Sequence, residues 1–163
     1  SESVEAEISA KELTRQIDYF LDTLDAESRI LFVRRYWYAY SISELAKQFG
    51  LKKIDIMENW LHALSILRNC CAHHSRIWNR RFTVRILLPY NTVSPFIDRV
   101  TIPTVKQNKL FAYLCCVKYI LDIISPDNDF QKKLLALIED GGNLLSLKEM
   151  GFPDNWKFLS VWK

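Results

Sequence analysis

Residues 53–72 read KIDIMENWLHALSILRNCCA, and this stretch decides the fold class. Ile54, Met57, Leu61, Leu64, Leu67 and Cys71 recur at three- and four-residue steps, the spacing that gathers apolar side chains on one helical face. A long helix is therefore expected here, with one side in a core. Upstream, Leu13, Ile17, Phe20, Leu21 and Leu24 line one face of a predicted helix over 11–24, and 26–38 predicts a second. Ser41 with Glu44 makes the pattern of a capping box for a short helix over 41–49, which Gly50 stops. Downstream, 106–124 is apolar almost all round and predicts a central buried helix. Ser125-Pro126-Asp127 opens a further predicted helix with Asp or Ser as its cap, running to about Glu139, and Asp140-Gly141-Gly142 ends it. Between these, 82–105 carries three prolines and predicts a long irregular connection, with room for one short strand or hairpin at the alternating TVRILL. From Leu147 the tail has Gly151 and Pro153 as breakers and several aromatics to tie it down. The expected class is all-α.

Composition narrows the possibilities. The chain of 163 residues suits one ordinary core, and 49% hydrophobic with 25% charged residues is an ordinary globular balance. No apolar run is long enough to span a bilayer, and the acidic N-terminus does not resemble a signal peptide, so a soluble cytoplasmic protein without a membrane partner is expected. The four cysteines form two adjacent pairs, Cys70-Cys71 and Cys115-Cys116, which fits neither a disulfide framework nor a CxxC site. Cys70, Cys71, His73 and His74 lack the second half of a zinc-binding pattern, and no metal or cofactor is expected.

Net charge is only +3, yet its distribution is uneven. The first 29 residues hold eight acids and three bases. Between Glu58 and Asp98 there is no acid, while Arg68, Arg76, Arg80, Arg81 and Arg85 all fall there. A local cationic excess interleaved with histidine and tryptophan is the footprint of a polyanion partner.

The chemistry follows from residues 68–81, RNCCAHHSRIWNRR. Metal-free RNA cleavage needs a base for the 2′-OH, an acid for the leaving 5′-oxygen and positive charge at the phosphorane. Arg68 can clamp the scissile phosphate, His73 can serve as acid or base, and Asn69 can orient either group. His74 could exchange roles with His73. With a helix ending near Ala72, both histidines sit where the helix dipole favours imidazolium. Arg76, Asn79, Arg80 and Arg81 are candidates for flanking RNA contacts, and Trp78 for stacking on an unpaired base, although a tryptophan there is more often a packing residue than a base platform.

The string LRNCCAHHSRIWNRRF resembles the signature of the Abi family of abortive-infection proteins, within the HEPN superfamily of RNases. The resemblance continues through KQNKLFAYLCCVKYIL and MGFPDNWKFLSVWK and covers about 41–163. The family pattern is an Arg, a polar residue and a His four to six positions after the Arg, matched by Arg68, Asn69 and His73, with His74 at the longer spacing. The resemblance implies a HEPN-like helical bundle that homodimerises with the two motifs facing one RNase site. It also implies phage defence or a toxin role, with an antitoxin RNA or protein as a further partner. The stretch LDAESRILFVRRYWYAYSISELAKQFGLKKIDIMENWLHALSILR is similar to the DNA-binding fourth region of bacterial sigma factors, with helix–turn–helix spacing around Gly50. The division expected is a sigma-like helical segment over 1–50 and an Abi/HEPN-like domain over 51–163. The function expected is a metal-independent endoribonuclease. The alternatives are a non-catalytic RNA-binding HEPN-like module and a sigma-like DNA-binding transcription protein.

Overall fold

A computed structural model describes residues 41–163, so the helices expected over 11–24 and 26–38 lie outside the described residues. Regular structure among the described residues is helical: α1 (Ile42–Gln48), α2 (Ile54–Ala72), α3 (Leu110–Ile124) and α4 (Phe130–Gly141). Short 3-10 turns occupy Ile102–Thr104, Gly142–Leu144, Trp156–Phe158 and Ser160–Trp162. The fold is all-α.

The capping box forms as its sequence dictates. Glu44 N donates to Ser41 Oγ at 3.2 Å, and Ser41 N donates to Glu44 Oε2 at 2.9 Å. At the other end of α1, Leu51 N reaches Ala46 O at 2.8 Å and Gly50 N reaches Lys47 O at 3.1 Å, the paired bonds of a Schellman cap. Gly50 sits at φ +62°, and a Cβ there would meet Val93 Cβ at 2.6 Å. Only glycine satisfies both the turn and the close approach.

Helix α2 packs between α1 and α3. It buries Ile56, Met57, Trp60, Ala63 and Cys70, while Leu61 and Leu67 are half-buried and Ile54 is 48% exposed. The core face is therefore rotated from the expected stripe and centred on Trp60, whose wide indole takes the deepest place. Its ring packs on Phe96 at 5.4 Å and on Tyr119 at 5.5 Å, and its Nε1 donates to Leu87 O at 2.8 Å. A second aromatic group, Phe111, Phe152, Trp156 and Trp162, ties the tail to α3.

The connection over 82–105 forms neither a strand nor a hairpin; one isolated antiparallel bridge joins Leu51 and Thr92. The alternation is nevertheless physical. Phe82, Ile86 and Leu88 are buried while Thr83, Arg85 and Leu87 face outward, as in an extended chain lying on helices. Its backbone groups are met by helix side chains instead of a partner strand. Asn59 Nδ2 donates to Arg85 O at 2.9 Å and Leu87 N donates to Asn59 Oδ1 at 2.8 Å. Tyr113 Oη donates to Val84 O at 2.6 Å. These bonds lay the connection back along α2, antiparallel to it.

Two helix starts differ from expectation. Residues 106–109 form a turn, with Lys109 N on Lys106 O at 3.1 Å, so α3 begins at Leu110. Helix α4 begins at Phe130 because Asn128, and not Ser125 or Asp127, supplies the side-chain bonds. Asn128 Oδ1 accepts from Phe130 N at 3.1 Å, and its Nδ2 donates to Ser125 O at 2.8 Å and Asp122 Oδ1 at 3.0 Å.

Candidate nucleic-acid interface

The cationic stretch begins where α2 ends. Arg68 and Asn69 lie exposed on its last turns, and His73 is the exposed C-cap residue. Asn69 and His73, four positions apart, share a side of the helix, and His73 N donates to Asn69 O at 3.0 Å. Arg68 projects about 100° round the axis from Asn69. The Arg and the His thus flank the helix end from two sides instead of lying side by side.

The chain then reverses through His74 at φ +49°, the only non-glycine residue with positive φ among the described residues. Ser75 N reaches Cys70 O at 2.9 Å and His74 N reaches Cys71 O at 3.0 Å, the same Schellman pair that Gly50 completes at the end of α1. Glycine is the ordinary occupant of such a position, and histidine bears it at a steric cost. The result is two consecutive exposed imidazoles at the C-terminal end of a helix. His74→Gly should therefore raise the free energy of unfolding by roughly 0.5–1 kcal/mol in a urea titration. A variant less stable than the parent would show that the histidine side chain supports the turn.

The following loop is held at several points. Arg76 places its guanidinium 5.6 Å from the centroid of the Trp78 ring, and Trp78 is half-buried against the core. Trp78 therefore packs, and its ring is covered by an arginine as an unpaired base would cover it. Asn79 is half-buried, and its carbonyl accepts from Lys109 Nζ at 3.1 Å. Arg80 N closes a turn on Ile77 O at 3.2 Å, leaving the Arg80 and Arg81 side chains exposed. Phe82 is buried and stacked on Tyr113 at 4.2 Å, which fixes the loop where the connection starts. Burial pushes the Tyr113 hydroxyl up to about 12, so it stays a donor to Val84 O.

Lys109 went unnamed among the sequence candidates because its contact spans 30 positions. Its path depends on the tail. Gly151 stands at φ +87°, where a Cβ would come 2.6 Å from Lys109 Cβ. In the sequence Gly151 reads only as a breaker of the tail; the close approach shows in the structure alone.

Arg68, Asn69, His73 and His74 make no side-chain hydrogen bond or ion pair with any described residue. Burial and the neighbouring Cys70 push the Cys71 thiol above its ordinary range. Among the described residues no group of three or more His, Cys, Asp or Glu is placed to hold a metal ion, and no helix is long and apolar enough to cross a membrane. The arrangement offers two proton-transfer groups, an arginine and an amide at one helix end, followed by an acid-free loop with Arg76, Arg80 and Arg81.

No curated protein and no solved structure matches the chain. A family model described as Abi-like protein matches residues 19–79, which include the end of α2 with Arg68, Asn69, His73 and His74. Over those residues the chain is similar to the Abi-like protein family.

Proposed function

We propose that the protein is a metal-independent endoribonuclease of an abortive-infection or toxin system, acting in the cytoplasm as a homodimer. The family match supports the abortive-infection role. The observation that carries the catalytic reading is the exposed His73–His74 pair at the end of α2, with Arg68 and Asn69 one turn earlier and an arginine loop after it. In the proposed reaction a neutral imidazole takes the proton of a ribose 2′-OH. The 2′-oxygen attacks phosphorus, the bond to the 5′-oxygen breaks, and an imidazolium protonates that leaving oxygen. Arg68 stabilises the charge on the phosphorane, and Asn69 orients the imidazole on its side of the helix. The products are a 2′,3′-cyclic phosphate and a 5′-hydroxyl. Because Arg68 and His73 flank the helix from two sides, two helix ends meeting in a dimer would supply both to one phosphate. An RNA or protein antitoxin would restrain the activity by covering this surface.

The test is cleavage of a labelled single-stranded RNA in excess chelator. The wild-type protein should cleave and Arg68→Ala should lose at least about 100-fold in rate, the size of a lost charge-stabilising donor. Cleavage that stops on chelation would contradict the metal-free mechanism. Tight, salt-sensitive RNA binding without products would identify a binding module instead. A DNA-reading role for α2 is disfavoured by exposed Asp55 and Glu58 near its N-terminus, where a groove-binding helix would meet phosphates.

A further inference from the structure

The connection does more than link helices. From the arginine loop it runs back along α2, its course set by Asn59 on Arg85 and Leu87 and by Trp60 on Leu87. It reaches the start of α2 at Thr92, opposite Leu51. Arg80, Arg81 and Arg85 therefore follow one another along the molecule, away from the helix end that carries His73. At the far end lies a cleft of 430 Å³, bordered by a second of 510 Å³ that shares Lys52, Pro89, Tyr90 and Asn91 with it. Arg85 is tied to the lining of this cleft, for its Nε donates at 3.3 Å to Gln107 Oε1, and Gln107 is a lining residue.

The cleft has the makings of a base site. Its floor is apolar, with Ile56, Leu88 and Ile102 buried beneath it, and Tyr90 stands 60% exposed at its edge. Lys52 and Lys53 are exposed on its rim, and Asp55 is the one carboxylate on the lining. A volume within the ordinary range for small-ligand sites, an aromatic platform and flanking cations suit a nucleotide: base on the ring, phosphate on the lysines. From Lys53 to Arg68 the helix rises about 22 Å, so a chain of several nucleotides is needed to reach from the cleft to the scissile position.

We propose that the Tyr90–Lys52–Lys53 cleft is a distal subsite for single-stranded RNA, joined to the His73 end of α2 by the Arg80–Arg81–Arg85 track. This rests on the RNA-directed reading above and adds to it a substrate of minimum length. Tyr90 and the two lysines bind RNA away from the reacting phosphate and take no part in bond making.

The test uses the full chain, with oligoribonucleotides of about 4 and about 15 nucleotides, binding followed by fluorescence anisotropy and cleavage by product release. Tyr90→Ala should weaken binding of the long RNA roughly tenfold, the loss expected for one stacked base. It should leave the short RNA and kcat unchanged. Lys52→Ala with Lys53→Ala should lower the slope of log affinity against log salt by about 2, again for the long RNA alone. Unchanged binding of the long RNA by the Tyr90 variant, or equal losses on both lengths, overturns the subsite. Binding is read in the His73→Ala background as well, so a chain that never cleaves still decides the question. If long RNA binds tightly to wild type and resists Arg80→Ala with Arg81→Ala, the arginine track is overturned while the RNA-directed reading stands. If the wild-type chain binds neither RNA, the RNA-directed reading itself fails, and the subsite with it.

Discussion

His73→Ala is expected to lower the rate of RNA cleavage by about 10²- to 10⁴-fold, the contribution of one positioned proton-transfer group, with no loss of folding stability. The two halves of this expectation have separate grounds. The His73 side chain is exposed and its backbone N–H bonds to Asn69 O, so alanine keeps the helix end and removes only the imidazole. His74 is the natural rival for the role, yet replacing it with alanine would keep an L-residue at φ +49° and confuse strain with chemistry. His74→Gly is the cleaner partner, because it removes the imidazole and fits the turn. Comparing the two variants assigns the proton transfer. A rate that falls only in His74→Gly moves it to His74, and a rate unaffected in the double variant removes both histidines from the mechanism. Thermal unfolding alongside the assay shows whether each loss is chemical.

The largest stability effect belongs to Trp60→Ala, expected to cost at least about 4 kcal/mol. The side chain is 0% exposed, so alanine opens a cavity at the junction of α2, Phe96 on the connection and Tyr119 on α3. It also removes the donor to Leu87 O, leaving that carbonyl to find another partner. A loss of this size approaches the whole stability of many domains, so the variant is best studied by urea titration at low temperature. Trp60→Phe keeps most of the packing and forfeits the hydrogen bond, for which about 1–3 kcal/mol is expected. The pair of variants separates cavity from carbonyl. A cost below about 1 kcal/mol for alanine would mean that α2 is not fastened through this residue.

What the sequence conveyed directly was whatever a few neighbouring residues decide. Ser41 and Glu44 specify the capping box, Gly50 the end of α1, and the apolar repeat a helix ending at Ala72. The candidate site was legible for the same reason, since Arg68 to Arg81 is one continuous stretch on a helix end and the loop after it. Less could be read where distant residues meet. The alternating TVRILL signals an extended chain truthfully, but nothing local says that its partners are Asn59 and Tyr113 instead of a second strand. The bonds that place α4 belong to Asn128, although Ser125 and Asp127 carry equally good capping chemistry. The left-handed turn at His74 was hidden because glycine is its usual marker. Lys109 on Asn79, and the cleft that gathers Lys52, Tyr90 and Gln107, both depend on the packed fold.

The chemistry of the RNA ends tests the central claim most directly. The purified protein is incubated with a single-stranded RNA in excess chelator, and the 3′ termini of the fragments are identified by mass. Fragments ending in 2′,3′-cyclic phosphate, formed by the wild-type chain and not by His73→Ala with His74→Gly, are the result expected of a site in which histidines move the protons and Arg68 holds the phosphate. Intact RNA, fragments with 3′-hydroxyl ends, or the same cyclic ends from the double-histidine variant would contradict it.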